Sequence, residues 1–429
     1  MRELLKVEYA LSMSSAAITG ARILTLASNS GQQSPRRGAE LAELGVIEHG
    51  WVRVKDGRIV EIGEGTAPAD LSAEEIIHAD GRVLMPALVD CHTHACWSGD
   101  RSDEFEQRLA GVSYLDILAA GGGIMATVRA VREADEETLT ENLLLQLERM
   151  ARLGSGTVEV KSGYGLDPDT ELKMLRAIHE ASKRTRQLIV PTFLGAHALD
   201  ADAADGPEAA LERIINEALP AAAEAFPGIA CDAYCETGAW SLADCRRLFE
   251  NAQDLGCPIR VHTDQFNSLG MTRLAVEMRA RSVDHLEAST PDDLQAIAAS
   301  DTIAVLLPAS GFCLDDRYAP GRELVDLGAA IAVASNSNPG SAQTPSLPLA
   351  MGLACRKCRL RPSEAIVAAT YNAACVLDLQ HEVGSIEIGK RADLMLLDGR
   401  DERALGLEIG APGPIGLMVE GQWHELGWR

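Results

Sequence analysis

The feature that most constrains the fold is a series of short apolar segments between residues 83 and 334, with helix-like stretches between several of them. Eight such candidate strands are present: VLMPALV from Val83, TVEV from Thr157, LIVPTFL from Leu188, IACDAY from Ile229, PIRV from Pro258, SVDHL from Ser282, TIAVLLP from Thr302 and AAIAVA from Ala329. Near-continuous apolar strands alternating with helices are typical of a parallel sheet covered on both faces. Eight strands, with no GxGxxG after the first, favour a closed (β/α)₈ TIM barrel over an open doubly wound sheet.

The intervening segments have the pattern of amphipathic helices. Two clear examples are ETLTENLLLQLERMARLG, which ends at Gly154, and SLADCRRLFENAQDLG, which ends at Gly256. A glycine just after the last apolar position is a common helix C-cap, because it adopts positive φ without steric cost. These stretches are therefore predicted as helices on the outside of the barrel.

The two ends of the chain have a different, β-rich character. Residues 18–62 contain short β-runs, and the Asp56-Gly57 pair between WVRVK and RIVEIG predicts a hairpin. Residues 384–398 and the later LMVEGQWHE are similar in character. We therefore predict a small β-sandwich domain formed by residues 1–86 and 384–429, flanking a barrel of residues 87–383.

Charge and cysteine content narrow the classes of partner and compartment. A formal net charge of −24 argues against nucleic acid or an anionic membrane surface as a partner, since both would repel the protein. No apolar run reaches the roughly 18 residues needed to span a bilayer. The ten cysteines lack the spacing of a disulfide framework, and the lone CxxC at Cys355 and Cys358 has no second pair. Reduced thiols and a cytoplasmic location are expected.

Five of the ten histidines lie at the end of a predicted strand. They are His92, His94, His197, His262 and His285. In a barrel the carboxyl ends of the strands converge on one face, where active sites are built. A structural role is a reasonable alternative for any one of these side chains, but it does not explain all five. The sequence therefore predicts a metal or acid–base cluster at this rim.

The pair in Asp90-Cys-His-Thr-His94 is the sharpest signal in this group. Residues i and i+2 of an extended segment point the same way, so both imidazoles can reach one cation. Zinc and divalent iron accept imidazole nitrogen readily, and a metal with an open position lowers the pKa of water. One divalent metal, zinc or iron, is the expected cofactor.

Several longer motifs resemble the imidazolonepropionase family of the amidohydrolase superfamily. They are DCHTHACWSGDRSDEFEQRLAGVSY from Asp90, GGGIMATVRAVREA from Gly121, EVKSGYGLD from Glu159, TFLGAHAL from Thr192, HTDQFNSLG from His262, SVDHLE from Ser282, NPGS from Asn338 and GSIEIGKRADLMLLD from Gly384. The similarity runs from about Gly45 to Asp398. It implies hydrolysis of 4-imidazolone-5-propanoate to N-formimidoyl-L-glutamate in histidine degradation, by a homodimer.

The resemblance also implies roles for individual residues. His92, His94 and His262 would ligate the metal, and His285 would polarise the scissile carbonyl or move a proton. Arg101 would hold the substrate carboxylate, unless it only pairs with Asp103 or Glu104 at the surface. The other implied substrate contacts are Tyr114, Tyr164, His197, Gln265 (a ring contact that is also a catalytic candidate), Asn338, Gly340 and Ser341. Asp284 and Glu287 are expected to brace strand ends.

One position departs from the family pattern. The motif TDxNPG[ST] carries an aspartate that ligates the metal and accepts a proton, whereas this chain has Asn336 there. A neutral amide cannot act as a general base, and losing one costs about 10²–10⁴-fold in rate. Three explanations are open: Asn336 is an engineered change, another group such as His285 or Glu236 accepts the proton, or catalysis is lost. Ser335 and Ser337 also differ from the family motif, which favours natural divergence over a single engineered substitution.

Two other functions follow from these observations. The substrate could be another propionate-bearing five-membered ring of the hydantoin or thiohydantoin type. A catalytically impaired binding protein would instead bind the substrate without turnover and would retain metal weakly. Both alternatives keep the same barrel and the same carboxylate-binding residues.

Overall fold

The computed structural model describes residues 15–27, 33–112, 116, 121–410 and 413–426. The described strands are β1 Ser15–Leu24, β2 Val46–Lys55, β3 Arg58–Glu64, β4 Glu75–His78, β5 Val83–Pro86, β6 Leu88–Asp90, β7 Ser155–Lys161, β8 Leu188–Ala196, β9 Ala230–Cys235, β10 Arg260–Thr263, β11 Ser282–His285, β12 Ile303–Leu306, β13 Ile331–Val333, β14 Leu394–Leu396, β15 Gly416–Val419 and β16 Gln422–Glu425. They form two separate sheets.

The described α-helices are α1 Ser102–Leu109, α2 Ile124–Glu133, α3 Glu136–Arg152, α4 Pro168–Arg184, α5 Pro207–Arg213, α6 Leu219–Ala225, α7 Leu242–Asp254, α8 Met271–Glu277, α9 Pro291–Ala298, α10 Pro308–Leu314, α11 Gly321–Asp326, α12 Leu347–Lys357, α13 Pro362–Ala368, α14 Tyr371–Val376 and α15 Ala404–Leu407. A 3₁₀ helix spans Gly38–Ala42 and a π-helical turn spans Ile214–Ala218. Among the described residues, no helix is both long enough and apolar enough to cross a membrane.

The first sheet is assembled from both ends of the chain. Its order is β16-β15-β14-β5-β1-β2-β3, with β4 also paired to β1. Its apolar core includes Ile18, Val52 and Leu394. The predicted hairpin joins β2 to β3, and Asp56 and Gly57 have φ values of 50° and 74°, as a two-residue turn of this type requires.

The second sheet is the predicted barrel. Strands β6 to β13 follow one another in chain order, and every pairing between them is parallel. The seam between β13 and β6 is linked at the carboxyl rim, where the Asn336 N–H donates to His92 O at 3.1 Å and the His94 N–H donates to Ser337 O at 2.9 Å. The (β/α)₈ fold with a small β domain is confirmed.

One predicted strand was wrong in its extent. The apolar run from Val83 is divided, because Val83–Pro86 pairs antiparallel with β14 in the first sheet and only Leu88–Asp90 enters the barrel. The Ala87 N–H donates to Asp393 O and the Leu88 N–H donates to Gly154 O, both at 2.9 Å. The chain therefore passes from one sheet to the other at Ala87.

The two helices singled out from the sequence are confirmed as α3 and α7. Asp135 accepts a hydrogen bond from the Thr138 N–H at the start of α3, and Ser241 accepts one from the Asp244 N–H at the start of α7. These side chains satisfy N–H groups that have no partner within a helix. Both helices bury an apolar face against the barrel, and so fix the strand ends that carry the site.

Candidate active site

Three of the predicted histidines meet at the carboxyl end of the barrel. His92 and His94 directly follow β6, and His262 lies in β10. The Nε2 atoms of His94 and His262 are 3.1 Å apart, and the ring centroids of His92 and His262 are 4.4 Å apart. One nitrogen from each of the three buried rings can be chosen so that all lie within 4.8 Å of one another. This spacing allows the three nitrogens to share one cation.

Carboxylates behind the rings fix two of the imidazoles. The Nδ1 atom of His92 lies 2.5 Å from Asp284 Oδ2, and that of His262 lies 3.1 Å from Asp232 Oδ1. A hydrogen bond to a carboxylate places the proton on Nδ1, which leaves the Nε2 lone pair for a metal. Asp284 therefore braces a strand end, as expected.

The site electrostatics keep these rings neutral. Burial, together with nearby cationic groups, holds the pKa values of His92 and His94 well below the usual range. Burial alone would raise the pKa of Asp232, but its interaction with His262 and the positive charge of Lys161 outweigh burial and lower that pKa well below its usual range. Neutral imidazoles beside an ionised carboxylate are the form that binds a divalent cation.

Unpartnered polar atoms mark the same place. Among the described residues, His92 Nε2, His94 Nδ1 and Asn336 Oδ1 are buried and have no hydrogen-bond partner. Buried polar atoms are normally satisfied, so a cluster of orphaned acceptors calls for a group that the protein itself does not supply. The residues present thus fit a divalent metal ion.

His197 and Tyr164 form one wall beside the histidine cluster. The rings of His197 and His94 are stacked, with centroids 4.7 Å apart, and the Tyr164 ring lies 5.2 Å from His197. Nδ1 of His197 is 2.9 Å from Gly163 O. Burial and the neighbouring His262 lower the pKa of His197 to about 3, so this ring is neutral at physiological pH. Tyr164 is therefore buried beside His94 and His197, next to the histidine cluster.

His285 lies on the opposite side of the cluster. Its ring centroid is 5.6 Å from that of His262, and its Nδ1 atom is 3.2 Å from Glu287 Oε1. The backbone at His285 has φ of 90°, which is rare for a non-glycine residue. Glu287 thus orients the His285 ring through Nδ1, and Nε2 is not part of this contact.

Arg101 lies beside the loop that contains Asn338, Gly340 and Ser341. Its Nε and Nη2 atoms donate to Glu104 Oε2 at 3.0 and 2.7 Å. A Cβ atom built on Gly340 would lie 2.5 Å from Arg101 Nη1, so the guanidinium packs directly on that glycine. The predicted pairing with Glu104 therefore exists, and it aims the remaining edge of the guanidinium at the loop.

The loop itself is held by Asn338. Its Oδ1 atom accepts hydrogen bonds from the N–H groups of Gly340 and Ser341 at 2.8 and 2.7 Å, and its Nδ2 atom donates to Asn336 O at 2.6 Å. Asn336 has φ of 54°, a left-handed conformation that asparagine and aspartate tolerate better than most residues. An aspartate would fit the same backbone.

The side chains of Gln265 and Glu236 are already hydrogen-bonded to other groups of the protein. Gln265 accepts a hydrogen bond from the Tyr234 hydroxyl at 2.8 Å and donates to Ser310 Oγ at 3.2 Å. Glu236 accepts hydrogen bonds from the N–H groups of Phe266 and Asn267 and so braces the loop after β10. Glu236 is thereby less available than His285 as a proton acceptor. Tyr114 lies outside the described residues.

Comparisons with known proteins agree with this geometry. The model of the amidohydrolase family matches residues 83–423. Proteins named imidazolonepropionase from Herpetosiphon aurantiacus and Rubrobacter xylanophilus are each 42% identical to this chain, over 398 and 394 residues. The matches cover 91% and 90% of this chain and 93% and 94% of those proteins. This chain belongs to the imidazolonepropionase family of amidohydrolases.

Solved structures of more distant relatives share the fold. A 5-methylcytosine deaminase from Klebsiella pneumoniae superposes with a TM-score of 0.70 at 15% identity, covering 95% of this chain and 96% of that one. An adenosine deaminase from Xanthomonas campestris superposes with a TM-score of 0.64 at 17% identity, covering 95% and 92%. At such low identity, this likeness supports the barrel architecture and says nothing about the substrate.

The sequence analysis missed three buried charged residues of this family member. Glu159, Lys161 and Arg260 lie within barrel strands and are at most 1% exposed. Glu159 and Arg260 occur inside the predicted strands TVEV and PIRV, and Lys161 directly follows TVEV. A charged side chain buried in such a strand must be paired with an opposite charge. The charged residues in EVK and PIRV could therefore have predicted a buried ion network inside the barrel, next to the histidine cluster.

Proposed function

We propose that this chain hydrolyses 4-imidazolone-5-propanoate to N-formimidoyl-L-glutamate, the ring-opening step of histidine degradation. The observation that carries the proposal is that Arg101 packs on Gly340 of the loop that begins beside the three-histidine cluster, in a chain 42% identical to a protein named for this activity. A ring with a propionate arm would offer its carboxylate to Arg101 and its ring carbonyl to the histidine cluster. A hydantoin-type ring with the same arm would offer the same two groups, and the 42% identity to a protein named imidazolonepropionase favours the imidazolone.

We further propose that His92, His94 and His262 would hold one zinc or divalent iron ion, with Asn336 Oδ1 as a further, weaker ligand. The unpartnered atoms at His92 Nε2 and Asn336 Oδ1 support this assignment. When bound, such an ion activates water and polarises a carbonyl. An amide oxygen binds a metal more weakly than a carboxylate, so retention is expected to be weaker than with aspartate at this position.

The substrate carboxylate is assigned to the free edge of Arg101. The other edge of the guanidinium is occupied by Glu104, and charge-assisted bonds of this kind fix orientation as well as affinity. Tyr164 and His197 contact the heterocycle from one side. Asn338 holds the loop of Gly340 and Ser341 against the carboxylate arm, and Gln265 contacts the ring from the far side.

Proton transfer is assigned to His285. Water adds to the ring carbonyl carbon and loses one proton to His285 Nε2, the carbon–nitrogen bond breaks, and the ring nitrogen that leaves takes up a proton. Glu287 stabilises the imidazolium by its contact with Nδ1. Because Asn336 has no basic atom, His285 is the group in the described site best placed for this role.

Asn336 also supports a second candidate function, a protein that binds the same ligand without turning it over. A related ring such as a hydantoin or thiohydantoin with a propionate arm is a third. Turnover assays separate them. Purified protein supplied with zinc or iron is incubated with imidazolone propanoate, with hydantoin propanoate, and with an imidazolone lacking the propionate, and products are identified by mass spectrometry.

Addition of one water to imidazolone propanoate alone, with a much higher KM or no reaction for the ring that lacks the propionate, is the expected result. Preferential hydrolysis of the hydantoin would replace the proposed substrate. Binding of imidazolone propanoate with no product from any of the three rings would favour the binding-protein function.

A further inference from the structure

The two carboxylates behind the histidines are themselves bound by buried cations. Asp284 Oδ2, which contacts His92, accepts a hydrogen bond from Arg260 Nη2 at 2.8 Å. Asp232, which contacts His262 through Oδ1, accepts one from Lys161 Nζ through Oδ2, also at 2.8 Å. These side chains are nearly or completely inaccessible to solvent. His92 and His262 therefore each have a carboxylate and then a cation behind them.

Both cations meet at one carboxylate, that of Glu159. Its Oε1 atom accepts hydrogen bonds from Lys161 Nζ at 2.6 Å and from Arg260 Nη1 at 3.2 Å. The contacts thus run without a gap from His92 through Asp284, Arg260, Glu159, Lys161 and Asp232 to His262. Glu159 is the midpoint of this chain.

The second carboxylate oxygen of Glu159 holds the backbone between His92 and His94. Oε2 accepts a hydrogen bond from the Thr93 N–H at 3.0 Å, and the Thr93 hydroxyl donates to Glu159 O at 2.6 Å. Thr93 lies between His92 and His94. Glu159 therefore reaches all three histidines indirectly. It holds Thr93 between His92 and His94, and it is linked to His92 and His262 through one cation and one carboxylate each.

The charges of this network also favour a cation. Three carboxylates (Glu159, Asp232 and Asp284) face two cations (Lys161 and Arg260), which leaves one excess negative charge when all are ionised. An uncompensated buried charge is destabilising, and a divalent ion bound by the adjacent histidines would compensate it. A network that served packing alone would be more stable with matched charges.

We propose that Glu159 is the positioning residue of the metal centre, setting the orientation of all three histidines from beneath. The inference rests on the metal site of the proposed function. Its test uses apoprotein and metal alone, without substrate. Zinc affinity is measured by competition with a chelator, and Co²⁺ is added separately because its visible absorption spectrum reports ligand geometry.

Glu159→Gln keeps the shape of the side chain but removes its charge and turns an N–H group towards existing donors. Loss of a group that supports metal ligands from behind costs about 10–100-fold in metal affinity. We expect a zinc Kd raised by that factor and an altered Co²⁺ spectrum. Glu159→Asp keeps the charge but shortens the side chain, so it preserves folding better and should show the same effects to a smaller degree.

Glu171→Gln is the matched control. Glu171 is equally buried and accepts hydrogen bonds from the N–H groups of Gly163, Gly165 and Leu166. These bonds do not join it to the three histidines or to the carboxylates behind them. Its loss should lower the melting temperature of the apoprotein and leave zinc affinity and the Co²⁺ spectrum unchanged. This contrast separates positioning from general stability.

The inference is overturned if both Glu159 variants bind zinc like the parent with an unchanged Co²⁺ spectrum, or if Glu171→Gln weakens zinc binding equally. A parent protein that binds no metal overturns the proposed metal site and this inference together. A parent whose metal affinity depends on Glu159 but that fails to open the ring overturns only the proposed substrate.

Discussion

Gly340→Ala tests where the substrate carboxylate binds. The added Cβ would lie 2.5 Å from Arg101 Nη1 and 3.2 Å from its Cζ. Gly340 is not among the glycines with positive φ, so the backbone itself accepts alanine and the effect is steric. Arg101 cannot move aside freely, because Glu104 holds its Nε and Nη2 atoms at 3.0 and 2.7 Å.

The size of the effect follows from the bond that is displaced. A hydrogen bond to a charged group contributes about 1.5–3 kcal/mol, which corresponds to roughly 10–150-fold in affinity. We therefore expect KM for imidazolone propanoate to rise by about that factor, with a much smaller change in kcat. Overpacking should lower the free energy of unfolding by about 1–3 kcal/mol.

The assay is steady-state kinetics on the metal-loaded protein, with Gly399→Ala as a control. At Gly399 the nearest atoms to an added Cβ are 3.9 Å away, in the backbone of Asp401, so neither KM nor kcat should change. An unchanged KM in Gly340→Ala, with its melting temperature lowered as expected, would show that the Nη1 edge of Arg101 does not bind the substrate.

Three further predictions concern neighbouring groups. Glu287→Gln should lower kcat by about 10²-fold or more and alter the pH–rate profile, since His285 loses its acidic partner. The metal content should not change. An unchanged kcat would show that the contact with Glu287 does not support proton transfer by His285. Glu104→Gln should raise KM about 10-fold for substrates with the propionate, because Arg101 loses the carboxylate that holds its Nε and Nη2 atoms. KM for the ring that lacks the propionate should not change. An equal rise in KM for both rings would indicate general disruption of the site. Burial raises the pKa of Asp90 to about 7, so between about pH 4 and pH 7 this side chain holds a proton in the folded apoprotein that it has released in the unfolded chain. The Asp90 contribution alone should lower the free energy of unfolding by up to about 1.4 kcal/mol per pH unit as pH rises through that window, whereas the buried histidines with lowered pKa values act in the opposite direction. Urea unfolding should show this contribution as a pH-dependent difference in stability between the parent and Asp90→Asn, and an identical pH dependence in both proteins would contradict the reasoning.

Sequence patterns predicted the parts of this molecule that depend on short-range order. Apolar runs and glycine caps identified the barrel strands and the helices α3 and α7, because strand and helix periodicity are local properties. Histidines at strand ends identified the cluster, because a parallel barrel brings those ends together whatever the details of packing.

Features that depend on distant contacts could not be read in the same way. The run from Val83 looks like one strand, and only pairing with β14 draws its first half into the other sheet. Glu236 looked like a candidate base until its contacts with the loop after β10 were known. The charges at Glu159 and Arg260 were visible, but their meeting under the histidines joins residues 101 positions apart.

The measurement that tests the central claim most directly is turnover of imidazolone propanoate by this protein and by Asn336→Asp, with metal content determined for both. The account predicts product from the parent protein, with His285 accepting the proton, and a rate higher by up to about 10²–10⁴-fold, with firmer metal retention, in Asn336→Asp. Full metal occupancy in both proteins with no product from either would contradict the assignment of this substrate.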